Sequence, residues 1–122
     1  MLLTADPLPD LDRARFETLA GELDSRVHAL AFAATFLNLL PRRLERISTT
    51  VDAGQAEAAH VALLSLAASA EMVGAQRLER DARRADRELR EGHLCGARDS
   101  IPQLDRDAEA VARALTDLLR GR

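Results

Sequence analysis

The chain has 122 residues, of which 47% are hydrophobic, and this length and apolar content fit one compact domain rather than a disordered chain. Its net charge of −3 arises from basic and acidic residues interspersed along the sequence, so no basic stripe indicates nucleic-acid binding. Aromatic residues make up only 2%, while Ala, Leu, Arg, Glu and Asp dominate, which predicts an all-α protein.

The N-terminal sequence, MLLTADPLPDLD, lacks a basic region followed by a long apolar run. No segment approaches the roughly 20 apolar residues that cross a bilayer, so we expect a cytoplasmic protein that neither spans nor binds a membrane. Cys95 has neither a second cysteine nor a Cys/His cluster, and therefore predicts no metal site. No glycine-rich phosphate loop points to a cofactor, and no catalytic motif points to an enzyme.

The N-terminal part of the chain predicts a leader and a short helix. Residues 1–9 contain two prolines and little periodicity, so we expect a leader that lies over the bundle or is loosely ordered. A single domain then covers residues 10–122. Asp12 is suited to cap a first helix, and Asp24 with Ser25 supplies a stop and a new N-cap.

The two helices that follow Ser25 are predicted from apolar spacing. Apolar residues alternate at intervals of three and four from Leu30 to Val51, which predicts the longest helix. Pro41 lies inside it and predicts a kink or an abutted pair of helices rather than a clean end. Gly54 closes this helix, and a third helix is expected from residue 55 to about residue 70.

The C-terminal half predicts two further helices. Gly74 marks the join to a fourth helix, whose charged run ERDARRADRELRE is assigned to solvent. Gly92 and Gly96 bracket a stretch expected to be only a turn, and a fifth helix follows with Pro102 in its first turn. Four long amphipathic helices joined by short turns predict an up-down-up-down antiparallel four-helix bundle, preceded by a short N-terminal helix.

The third helix carries an unusual outward side. Leu63, Leu66 and Ala70 are predicted to face the core. The outward side combines one imidazole with three apolar residues, whereas a solvated helix face normally carries polar residues, so it indicates further packing or a docking surface. Its members are His60, Leu64, Ala67 and Ala68.

Motifs spread over nearly the whole chain share their order with those of a known family. They are Leu11-Asp12 before the short helix, Phe36-Leu37 with Pro41 in the long helix, the Gly54 turn, and Val73-Gly74-Ala75-Gln76-Arg77-Leu78. In these motifs the sequence resembles the histidine-containing phosphotransfer (HPt) domains of multistep two-component phosphorelays. The resemblance implies a helical bundle whose partners are response-regulator receiver domains or histidine kinases.

One position departs from the family pattern. The register set by Gly54 and Gly74 places Leu64 where the family carries its phosphorylated His, and Ala67 where it carries a Lys. Leucine has no nucleophilic atom, so it cannot take a phosphoryl group from a receiver aspartate. The resemblance therefore implies a degenerate HPt protein that acts as a non-catalytic adaptor or competitor.

The resemblance also implies a docking patch around this position, since receivers dock around the reactive His in the family. The patch consists of His60, Val61, Leu64, Ala67, Ala68 and Glu71. Two alternatives stay open. In the first, His60 is a relocated phosphoacceptor, although its imidazole lies one helical turn, roughly 6 Å, from the position expected at Leu64. Alternatively, the bundle serves outside signalling, and the patch binds another partner or forms a homodimer.

Overall fold

The computed structural model describes residues 6–121, which form five α-helices and no strand. The helices are α1 (Arg13–Glu22), α2 (Arg26–Asp52), α3 (Ala56–Val73), α4 (Gln76–Arg90) and α5 (Leu94–Leu119). The predicted all-α class is confirmed. Helices α2 to α5 are the four predicted long helices, and α1 is the predicted short one.

The bundle is closed by contacts between neighbours in the chain. Contacts join α2 to α3, α3 to α4, α4 to α5 and α2 to α5, while α1 packs on α2 and α3. Within residues 6–121, α3 and α5 do not touch, so they lie diagonally opposite each other. This is the packing of the predicted four-helix bundle. It leaves one face of α3 outside, between α2 and α4.

Capping residues set the first helix boundaries. The Asp12 carboxylate accepts hydrogen bonds from two free amides of α1 at 3.0 and 3.3 Å. The Ser25 hydroxyl oxygen accepts one from the amide of His28 at 3.1 Å. Gly54, with a φ of 68°, follows α2 in the left-handed conformation. Both predicted N-caps and the predicted glycine closure are confirmed.

The two internal prolines fare differently. α2 runs through Pro41 as one helix, so it does not end there, as predicted; this excludes the abutted pair, and the kink stays a prediction. α5 begins at Leu94, so the expectation of a mere turn up to Gly96 is wrong, and Pro102 lies well beyond the first turn. A Cβ on Gly96 would lie 2.5 Å from the Glu88 carboxylate, the end of a flexible side chain of α4 that can move aside. Gly96 lies inside α5 and does not mark a turn.

Two carboxylates of the charged run in α4 are buried, so the assignment of the whole run to solvent is wrong. Asp81 is 4% exposed and Asp86 3% exposed. Each meets a partner from another helix: Asp81 lies against Asp107 of α5, and Asp86 is bonded to His60 of α3. Buried carboxylates require such partners, which helical periodicity within one segment does not reveal.

Residues 6–10 lie against α4 and are held there by two arginines. Arg80 donates hydrogen bonds to both carboxylate oxygens of Asp6, at 2.8 and 2.7 Å, and Arg77 donates to Asp10 at 3.0 Å. The hydrogen bonds from Arg80 hold the pKa of Asp6 well below its ordinary range. The remainder of the predicted leader, residues 1–5, lies outside the described residues, and the domain boundary at residue 10 stays a prediction.

The third helix is more apolar than the sequence analysis allowed. By length and composition α3 is able to cross a membrane, with a mean hydropathy of 1.2, so the expectation that no segment approaches a span is wrong. A core helix has the same composition, and α3 buries one side within the bundle through Ala59, Leu63, Leu66 and Ala70. The cytoplasmic location and the absence of membrane binding stay predictions.

Candidate protein-docking face

The uncovered side of α3 presents apolar residues on successive helical turns. Val61 is 61% exposed and Leu64 39% exposed, and Ala68 is also exposed. We call these three residues the α3 patch. Acidic residues lie beyond its two ends, Glu57 toward the N-terminus and Glu71 toward the C-terminus, and both are exposed. Apolar side chains in this arrangement form a surface that a solvated helix face usually lacks.

Ala67 does not belong to this outer surface, contrary to the prediction. Its exposed fraction is 0%. Ala67 is rotated by about 60° of helix from Leu64. That rotation brings it to the side where His60 meets α4, and its small side chain allows a close helix contact. Ala67, which the sequence register aligns with a Lys of the HPt family, is thus uncharged and buried inside the bundle.

His60 is bonded across the helix interface rather than free on the surface. Its Nδ1 lies 2.6 Å from Oδ1 of Asp86, and the two side chains are 25% and 4% exposed. Arg90 lies 3.5 Å from the other carboxylate oxygen of Asp86. When Nδ1 donates to Asp86, Nε2 keeps its lone pair. Sequence reasoning missed this partner because it stands 26 residues away on another helix.

Two arginines of α2 border the α3 patch on the side away from His60. Nη1 of Arg43 donates to the Ser69 hydroxyl of α3 at 2.7 Å. Arg43 and Arg46 line a hollow of about 140 Å³ together with residues of α3 that include Val61 and Ser65. Neither arginine forms an ion pair within residues 6–121. This edge of the patch therefore carries uncompensated positive charge.

Of the six residues predicted for the docking patch, four are exposed on α3, His60 is partly buried against α4, and Ala67 is buried. Glu71, at the margin, lies 3.4 Å from Arg83 of α4 in an exposed ion pair that contributes little to stability. No group of three or more His, Cys, Asp or Glu side chains in the described part of the chain is arranged to hold a metal ion. The binding role of the predicted patch residues stays a prediction.

Comparison with known proteins identifies the fold. No protein-family model and no curated protein matches the chain. Among solved structures, the histidine-containing phosphotransfer protein B (HptB) from Pseudomonas aeruginosa PAO1 matches with a TM-score of 0.84 and 21% sequence identity. The match covers 93% of this chain and 97% of that chain. The chain therefore has the helical-bundle fold of an HPt protein.

Proposed function

We propose that this protein acts in a two-component phosphorelay as an adaptor, binding a receiver domain or a histidine kinase through the α3 patch without accepting a phosphoryl group at Leu64. One observation carries the proposal: an exposed leucine, Leu64, stands at the centre of the patch. The sequence register set by Gly54 and Gly74 aligns this leucine with the family's reactive His. The fold shared with HptB supports the phosphorelay context.

A leucine at position 64 cannot take part in phosphoryl transfer, but it favours contact with an apolar partner surface. Transfer from an acyl phosphate requires an imidazole nitrogen with a free lone pair, and Leu64 has no such atom. Its side chain instead adds apolar area, which gains roughly 25 cal/mol for each Å² removed from water. Val61 and Ala68 extend that area along the helix. The α3 patch therefore offers a partner apolar contact area, but Leu64 offers no atom that could accept a phosphoryl group.

Leu64→Asp is expected to weaken receiver binding at least about tenfold, because a carboxylate at the centre of an apolar contact must lose its hydration without a partner. Isothermal titration calorimetry with receiver domains from the same organism measures the change. Leu64 is already 39% exposed, so the thermal unfolding midpoint of the variant should stay close to that of the unmodified protein.

Val27→Asp is the matched control. Val27 is 74% exposed in the first turn of α2, far along that helix from Arg43 and the patch. This variant should bind as the unmodified protein does. Full binding by Leu64→Asp, or equal losses in both variants, would exclude the patch as the docking surface. If Leu64→Asp instead converts a dimer to a monomer in sedimentation equilibrium, the homodimer alternative holds.

A second candidate function is phosphate acceptance by His60, which its hydrogen bond to Asp86 favours. A carboxylate that accepts from Nδ1–H fixes the tautomer in which Nε2 is the nucleophile. In this reaction the Nε2–P bond forms while the P–O bond to the receiver's aspartate breaks, and the electron pair leaves with that carboxylate. The 25% exposure of the imidazole leaves a route for a donor.

Intact-mass measurement after incubation with a phosphorylated receiver separates the two candidates. Docking without transfer predicts no gain in mass. Acceptance by His60 predicts the gain of one phosphoryl group, which His60→Gln removes. His93→Gln is the control, because His93 also contacts a carboxylate, that of Glu88 at 3.1 Å, but its side chain is 60% exposed on the α4–α5 connection. A gain that persists in His60→Gln excludes His60 as the acceptor.

A further inference from the structure

We propose that the α3 patch distinguishes two states of its partner and prefers a receiver domain whose aspartate is phosphorylated, with Arg43 and Arg46 binding the phosphoryl group. This inference rests on the proposed function and adds to it a preference for one state of the receiver. No bond is made or broken, because the arginines hold the anionic group beside a surface that has no nucleophile at Leu64.

Arg43 is already placed against α3. Its Nη1 donates to the Ser69 hydroxyl at 2.7 Å and to the main-chain carbonyl of Ser65 at 3.4 Å. These two contacts use one of its three guanidinium nitrogens, and a guanidinium carries five N–H donors. The remaining donors are available to an incoming anion. Because the side chain is held in place before binding, less conformational entropy is lost when it contacts a ligand.

Arg46 adds a second positive charge to the same hollow. The lining residues of this hollow are Arg43, Arg46, Val61, Ala62 and Ser65, with no carboxylate among them. An arginine fork bonds phosphoryl oxygens in charge-assisted geometry, and two such groups match a charge near −2. An unphosphorylated receiver lacks this dianion. The charge of the hollow therefore complements the phosphorylated state more closely.

The opposite side of α3 has a different charge arrangement. Arg83 of α4 donates to the Glu79 carboxylate at 2.9 Å, and Arg90 lies 3.5 Å from that of Asp86. The charges of Arg83 and Arg90 are compensated within α4, although Arg87 on the same helix is exposed and forms no ion pair within residues 6–121. The hollow lined by Arg43 and Arg46 is therefore what favours the α2 side of the patch as the place for a phosphoryl group.

The test compares one receiver domain in two forms, unmodified and carrying beryllofluoride, which forms a stable analogue of the acyl phosphate on its aspartate. Calorimetric titration should give a Kd at least about tenfold lower for the analogue form. The double variant Arg43→Ala/Arg46→Ala should lose that preference and still bind the receiver without beryllofluoride through Val61 and Leu64. Added salt should reduce the preference shown by the protein without substitutions.

Two further variants keep the test decisive. Arg46→Ala changes only an exposed side chain, so it leaves the fold intact, and it should reduce the preference partly. Arg113→Ala removes the same charge from α5, a helix without contacts to α3 in the described part of the chain, and should keep the preference. Equal affinity for both forms, or a preference that survives the double substitution, overturns the inference and leaves receiver docking intact. Binding of neither form overturns both.

Discussion

Replacing Gly74 by alanine is expected to lower the free energy of unfolding by about 3 kcal/mol or more. Gly74 has a φ of 88°, and a Cβ on it would lie 2.4 Å from the carbonyl oxygen of Asp12. The amide of Asp12 donates to the carbonyl of Gly74 at 2.7 Å, and Gln76 donates to the Asp12 carboxylate at 3.0 Å. The added methyl group therefore forces apart the segment before α1 and the α3–α4 turn.

Gly54→Ala measures the cost of the left-handed backbone conformation without a steric clash like the one between residue 74 and Asp12. Gly54 is also left-handed, with a φ of 68°, but nothing lies within 4 Å of a Cβ built on it. Its replacement should cost only the conformational penalty of about 1 kcal/mol. Urea denaturation of the two variants measures the difference, and equal losses would show that the contact with Asp12 is not what requires glycine at position 74.

The free energy of unfolding is expected to decrease as the pH rises from about 5 to about 8, by about 2 kcal/mol. The cause is Asp107, which is 4% exposed and whose Oδ2 has no hydrogen-bond donor within the described residues. Burial, together with the neighbouring Asp81, raises the pKa of Asp107 to about 7. Arg80 donates to both oxygens of Asp81, at 3.0 and 3.2 Å, so Asp81 is the partner that stays ionised.

The direction of this pH dependence follows from whether the folded or the unfolded chain binds the proton of Asp107. Between the ordinary carboxyl pKa of 3.8 and about 7, the folded protein keeps a proton on Asp107 that the unfolded chain has released. Rising pH therefore favours unfolding across this window, and the effect levels off once Asp107 is ionised in both states. Asp81 affects stability only at lower pH. Burial opposes its ionisation, yet hydrogen bonds from Arg80 and Asp107 lower its pKa, so its contribution to the free energy of unfolding is lost only below pH 3.8.

Asp107→Asn should remove most of this pH dependence, because an amide does not titrate and is able to donate a hydrogen bond to Asp81. Asp105→Asn, an exposed carboxylate on the same helix, should retain it. Thermal and urea unfolding of both variants across the pH range provide the comparison. An unchanged slope in Asp107→Asn would place the responsible group elsewhere.

The helices and their order were predictable from sequence because their signals are local. Asp12 and Ser25 cap the amides a few positions ahead of them, and Gly54 closes α2 by its own backbone conformation. The outward position of Leu64 likewise follows from helical spacing within a single segment. These features depend on one helix alone and were predicted correctly, whereas the start of α5 at Leu94 was not.

The parts that sequence reasoning missed depend on which helices become neighbours. Ala67 is covered because α4 packs on that side of α3, and His60 gains Asp86 from the same contact. Asp81 is buried because Asp107 and Arg80 meet it inside the bundle. The sequence around a carboxylate in a charged run does not reveal a partner on another helix. The charge pattern alone therefore predicts that it is exposed to solvent, since most carboxylates are.

The receiver-docking proposal is tested most directly by NMR titration of the isotope-labelled protein with a receiver domain from the same organism. We expect the resonances of Val61, Leu64 and Ala68 to shift saturably with receiver concentration. Those of Leu23 and Val27, the other large apolar residues that are exposed within residues 6–121, should stay in place. Unchanged α3 resonances at a saturating receiver concentration, or shifts confined to Leu23 and Val27, would contradict docking through the α3 patch.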